Sequence, residues 1–194
     1  MKPPCWFLVC MTLLLGCSET SPRHPHVIIQ SANGEIELEL LQDKAPKSVA
    51  AFLSYVDAGY YRNCSFYRAL NEDNQPTGSG GTDLIQGGVW KNGAKLPPLP
   101  GIEHESTKLT GIHHLDGTVS LARLAPGTAG TEFFICVGDQ PGFDFGGENN
   151  PDGQGYAAFG QVVKGMDLVK AMWAQPVRGE YLMQRVRIYN ITRK

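Results

Sequence analysis

Near the start of the chain an Asn-Gly pair, Asn33-Gly34, stands between Val27-Ile28-Ile29 and Glu35-Ile36-Glu37-Leu38-Glu39-Leu40. The second run alternates acid and aliphatic without a break. A period of two puts the aliphatic side chains on one face of a strand and the acids on the other. An Asn-Gly between two such runs is the strongest short signal for a tight hairpin. This segment is therefore expected to be an antiparallel hairpin with one buried face.

The same grammar recurs along the chain. Strand-like runs cover Ser65–Leu70, Asp83–Gly88, Thr118–Arg123, Glu132–Val137, Ala157–Val163 and Val186–Ile191. Only two stretches have helical spacing. Ala45–Gly59 carries Val49, Phe52, Leu53 and Val56 on one face, with Pro46 suited to the first turn and Gly59 to the stop. Met166–Trp173 places Met166, Val169, Met172 and Trp173 together. Asn71–Thr82 and Lys91–His114 read as irregular, and no internal repeat is visible. The 23 Gly and 13 Pro suit a turn-rich β protein. Many short strands with two helices predict a mainly β fold: a closed antiparallel barrel with a helix over each open end.

The 194 residues suit one domain. The formal net charge of −2 argues against nucleic acid as a main partner, since phosphate binding needs a basic excess. The N-terminus reads as a targeting segment. Trp6–Leu15 is an apolar run of signal-peptide length, too short to span a bilayer. It leads into Leu14-Leu15-Gly16-Cys17, which resembles a bacterial lipoprotein box, although Leu15 is bulkier than the usual small residue. Two readings stand: a lipidated Cys17, which the short apolar core favours, or an incidental Cys behind an ordinary cleaved signal. On the first, residues 1–16 are the signal, 17–26 a tether and 27–194 the folded domain, held at the cell envelope by acyl chains. Ser18 gives no inner-membrane retention signal of the Asp type, so the outer membrane is favoured. Cys64 and Cys136 then remain, either as buried hydrophobes or as a disulfide pair.

Three segments together resemble the cyclophilin family: Phe66-Tyr67-Arg68 followed by Ile85-Gln86-Gly87-Gly88; Gly117–Cys136; and Tyr156–Met172. The resemblance spans about Val27 to Ile191. It implies an eight-stranded closed barrel capped by two helices, and catalysis of rotation about X-Pro bonds without cofactor or metal. It implies X-Pro peptides or unfolded exported proteins as partners, and a monomer is expected. Arg68 and Gln86 match the catalytic positions. Phe134, Leu84, Phe143, Ala122, Arg123, Glu132 and Tyr156 match the substrate-binding positions. The chain also departs from the family. Asp83 and Leu84 replace Phe and Met, Gly142 stands where a pocket Trp is usual, Phe143 replaces Leu, and Tyr156 replaces His. Glu132 replaces Gln and Arg123 replaces Asn. The resemblance with these departures implies weaker peptide binding, and poor binding of cyclosporin.

Read alone, these residues have plainer explanations. A strand Arg is most often a solvated outward residue, and a strand Phe most often core. Other motifs are weak. His104-Glu105 lacks the second His of a zinc helix, and His113-His114 on a loop is a poor chelate. Asn150–Gly153 lacks the distal Glu of a calcium loop, and Gly78–Gly81 lacks a phosphate-loop Lys. No Ser/His/Asp constellation is legible. Two other classes stay in play: a proline-segment binding or scaffold module with little turnover, and, more weakly, a small-molecule barrel of lipocalin type.

Overall fold

The structure, a computed structural model, describes residues 24–75, 81–90 and 98–194. The signal segment and Cys17 lie outside the described residues. Strand β1 (His26–Ser31) pairs antiparallel with β2 (Gly34–Leu40), Ser31 facing Gly34. The turn is thus Ala32-Asn33, one residue earlier than Asn-Gly implies. Gly34 has φ +130, and a Cβ there would lie 2.9 Å from Leu168 Cδ1. The positive φ favours glycine, and the short approach shows the hairpin packed against the last helix.

The other strands are β3 (Cys64–Leu70), β4 (Leu84–Gly88), β5 (Thr118–Leu121), β6 (Phe133–Cys136), β7 (Ala157–Lys164), β8 (Val177–Arg178) and β9 (Tyr181–Arg193). Their order is β1-β2-β7-β5-β6-β4-β3-β9, and β1 pairs with β9 to close a ring of eight. Strand β8 pairs only with β9 and stays outside the ring. The mainly β closed barrel is therefore present, and closure removes the exposed edges an open sheet would carry.

Among the described residues three α-helices accompany it: α1 (Pro46–Asp57), α2 (Thr107–Thr110) and α3 (Met166–Trp173). The first and third are the two expected; α2 is a single turn inside the stretch read as irregular. Helix α1 packs against β7 and β9, and α3 against β2 and β4. Helix α1 has no side-chain cap of its own. Its Lys47 and Ser48 N–H groups donate to the Glu105 carboxylate at 3.1 and 2.7 Å. A carboxylate there also meets the positive end of the helix dipole.

Side chains fill the barrel. Phe52 of α1, Phe66, Phe133 and Phe159 are fully buried, with Phe52–Phe133 and Phe66–Phe133 edge to face at 5.8 and 5.9 Å. An eight-stranded barrel is just wide enough for such a filling. That occupied interior excludes the lipocalin-type reading, since the groove described next lies outside the wall.

Candidate active site

The outer wall carries a row of cross-strand neighbours. Arg68 on β3 faces Gln86 on β4 and, on its other side, Tyr181 on β9. Gln86 faces Phe134 on β6, which faces Ser120 on β5. Directly opposed residues share a face, and strands are about 4.8 Å apart. Simple alternation would send Arg68 to the same side as Phe66, into the barrel. Pairing shifts register between Phe66 and Arg68 against both β4 and β9. This bulge keeps Phe66 inside and turns Arg68 out.

Beside this row lies a groove of about 420 Å³. Eight of the predicted site residues line it: Arg68, Leu84, Gln86, Ala122, Arg123, Phe134, Phe143 and Tyr156. Its floor is aromatic. Phe134 lies 5.1 Å from Phe143 and 5.4 Å from Tyr156, and Phe143 lies 5.2 Å from Tyr156, the last two pairs edge to face. With Leu70, Leu84 and Cys136 they form an apolar cluster separate from the barrel core.

Gln86 is the centre of a hydrogen-bond chain. Arg68 Nη1 donates to Gln86 Oε1 at 2.8 Å, and Gln86 Nε2 donates to the Tyr67 hydroxyl at 2.8 Å. Tyr67 donates in turn to Glu132 Oε2 at 2.6 Å. Glu132 Oε1 accepts from the Val89 and Trp90 N–H groups at 2.8 and 2.9 Å. Burial, and then the Glu132 charge, push the Tyr67 hydroxyl well above its ordinary range, so it stays a donor. Burial raises the Glu132 carboxyl, only partly offset by its hydrogen bonds from Tyr67 and the two N–H groups. Glu132 was expected at the binding face, but it is not among the residues lining the groove. Its carboxylate sits where a Cβ on Gly88 would be 2.5 Å from it, so Gly88 makes its room.

Arg123 lines the groove but is fully engaged. Nη1 and Nη2 donate to Asp152 at 2.7 and 2.9 Å, Nε donates to the Gly155 carbonyl at 2.9 Å, and Nη2 reaches that carbonyl too. Its guanidinium lies over Tyr156 at 5.2 Å. It thereby holds the Gln140–Gly155 insert against the floor. At Gly142 a Cβ would meet Asn149 Nδ2 at 2.6 Å. Asn149 takes that space and donates to Thr82 Oγ1 at 2.9 Å, making this wall polar. Asp83 does not line the groove; burial and the neighbouring Glu72 raise its carboxyl.

Several site features have no signal in the sequence. Glu180, in the turn before β9, accepts from Arg68 Nε at 3.0 Å, and its Oε2 lies 2.9 Å from Nη2 as an ion pair. His113 and His114 do not chelate. Both Nδ1 atoms lie 2.7 Å from Asp144 carboxylate oxygens, and His114 Nε2 lies 3.0 Å from Ser120 Oγ. A Ser-His-Asp arrangement thus exists. Ser120 is 0% and His114 1% exposed, and the His114 ring stacks on Phe134 at 6.1 Å. No substrate reaches it; it is a polar brace behind the floor. Among the described residues no cluster suits a metal ion. Cys64 and Cys136 are free and buried, Cys64 in the barrel core and Cys136 in the outer cluster, on opposite sides of the wall. The disulfide alternative is thereby closed.

A family profile described as cyclophilin type peptidyl-prolyl cis-trans isomerase/CLD matches residues 26–193. The chain is 35% identical over 145 residues to peptidyl-prolyl cis-trans isomerase A of Dickeya dadantii, covering 74% of this chain and 68% of that protein. It is likewise 35% identical over 145 residues to isomerase B of Escherichia coli, covering 74% of this chain and 80% of that protein. A crystal structure of a Cryptosporidium parvum cyclophilin type isomerase superposes with a TM-score of 0.68 at 21% identity, over 88% of this chain and 98% of that one. With its eight-stranded filled barrel, its outward Arg68-Gln86-Phe134 row and a match over nearly all the described residues, this chain belongs to the cyclophilin-type peptidyl-prolyl cis-trans isomerase family.

Proposed function

We propose that Arg68 is the group through which this isomerase lowers the barrier to X-Pro rotation. The imide bond is stiff because the nitrogen lone pair is shared with the carbonyl. The barrier is about 20 kcal/mol and uncatalysed exchange takes roughly 10–100 s. No proton has to move, so catalysis requires a site that favours the twisted bond over either planar form. Twisting frees the lone pair, and a guanidinium N–H aimed at it stabilises that geometry alone. The carrying observation is that Arg68 and Phe134 flank Gln86 in one row. A proline ring resting on Phe134, Phe143 and Leu84 lies beside the guanidinium, and Gln86 holds that guanidinium by one oxygen.

Clients are X-Pro segments of unfolded exported proteins, with the chain held at the cell envelope through lipid on Cys17. Support for export comes from the Trp6–Leu15 run and the Cys that follows it. No helix among the described residues is long and apolar enough to cross a membrane.

The test is exchange on an X-Pro peptide, followed by NMR or a protease-coupled assay, in wild type, Arg68→Ala and Arg68→Lys. Both variants are expected to lose most of the acceleration, Lys because it lacks the planar fork. Equal rates in wild type and Arg68→Ala would refute the Arg mechanism. Peptide binding by wild type without exchange would make the groove a proline-segment receptor instead.

A further inference from the structure

We infer that Glu180 is a positioning residue for Arg68, a role that rests on the reading of Arg68 given above. A guanidinium has five N–H donors in one plane. Glu180 Oε2 alone accepts from Nε at 3.0 Å and forms an ion pair with Nη2 at 2.9 Å. Gln86 Oε1 accepts from Nη1 on the far side, at 2.8 Å. Two donors are therefore committed to protein oxygens by hydrogen bonds, and one on Nη1 and two on Nη2 remain. Two anchors on opposite sides set the plane, and the remaining donors belong to the two nitrogens at the guanidinium tip. Those are the donors available to an imide nitrogen over the groove.

The anchor is built into the backbone. Arg178 pairs with Tyr181 across the β8–β9 hairpin, so Gly179-Glu180 is its turn. Gly179 has φ +59, where a side chain is strained. The Ala69 N–H donates to the Glu180 carbonyl at 3.0 Å, tying the turn to the residue after Arg68. Glu180 thus lies beside Arg68 irrespective of its side-chain rotamer. The Arg68 and Glu180 side chains are 28% and 35% exposed. A pair this open contributes little to folding, so its effect belongs in the chemistry. Ordering the donor before the bond twists lowers the entropy cost of the transition state and leaves ground-state binding on the aromatic floor untouched.

One oxygen does the holding, so an amide oxygen can replace it. In the full-length chain Glu180→Gln is expected to keep kcat within about threefold. Glu180→Ala is expected to lose about tenfold in kcat at nearly constant KM, a shift of about 1.4 kcal/mol in the barrier. The Arg68 Nε–H resonance reports position directly: protected from exchange in wild type and Glu180→Gln, and unprotected in Glu180→Ala. In an Arg68→Ala background, Glu180→Ala should add nothing. Wild-type kcat in Glu180→Ala, with Arg68→Ala inactive, overturns the positioning role and spares the Arg mechanism. Full activity in Arg68→Ala removes the mechanism itself. Equal loss in Glu180→Gln and Glu180→Ala overturns positioning in favour of charge. Equal melting temperatures across the Glu180 variants are expected, and a kcat loss that only follows unfolding overturns the role.

Discussion

Phe133 and Phe134 are consecutive on β6 and face opposite sides of the barrel wall. Phe133 meets Phe52, Tyr61 and Phe66 in the interior, whereas Phe134 meets Phe143 and Tyr156 under the groove. Strand pleating alone produces this division, and it places fold and site on alternate residues of one short segment.

The two phenylalanines should therefore separate stability from activity. Phe133→Ala opens a cavity at the centre of the core and is expected to cost about 3–5 kcal/mol in denaturant unfolding. The molecules still folded should turn over normally. Phe134→Ala should cost less stability and remove most of the activity, because the proline loses its floor. Similar activity in the two folded variants would contradict this division.

Tyr67→Phe removes one hydroxyl and strands two groups. Gln86 Nε2 loses its acceptor and Glu132 Oε2 loses its donor. A buried polar group without a partner costs about 1–3 kcal/mol. Destabilisation in that range is expected, with a severalfold fall in kcat as Gln86 loosens its hold on Arg68. An unchanged unfolding midpoint would show that the chain from Arg68 to Glu132 carries no energy.

Glu105 caps a helix nearly sixty residues away in sequence. Glu105→Ala leaves the Lys47 and Ser48 N–H groups without their acceptor, and about 1–2 kcal/mol of stability should go with it. Glu105→Gln should lose less, because one oxygen remains. Calorimetry or urea titration of the two variants measures both, and the order of the two losses is the decisive observation.

Asp152 supplies the pH dependence of the insert. Hydrogen bonds from Arg123, and then the Gln154 N–H, hold its carboxyl at about 2 against an ordinary 3.8. A depressed carboxylate stabilises the fold fully above its ordinary value, and that contribution fades as pH falls through the folded value. The insert should stay docked on Tyr156 at pH 4 and loosen towards pH 2. Carboxyl-carbon NMR should place the Asp152 midpoint near 2 in wild type, and near the ordinary value in Arg123→Met. A wild-type midpoint close to 4 would rule out the clamp.

Local pattern determined the elements of this protein. Period-two runs, helical spacing in residues 45–59 and 166–173, and Gly and Pro at the joints specify which stretches become strands and which helices, because those periodicities act over a few residues. The linked motifs around Arg68, Gln86 and Phe134 identified the family on the same basis. Tertiary structure alone decided which way each side chain faces and what it touches. The bulge beside Tyr67 turns Arg68 outward against simple alternation, the hairpin turn brings Glu180 to its guanidinium across more than a hundred residues, and Asn149 fills the space beside Gly142. Glu105 reaches α1, and Asp144 gathers His113 and His114 behind the floor, by the same long-range closure. These contacts arise when strand pairing and loop packing bring separate segments side by side, as β3 and β9 do for Arg68 and Glu180, so no periodicity along the chain records them.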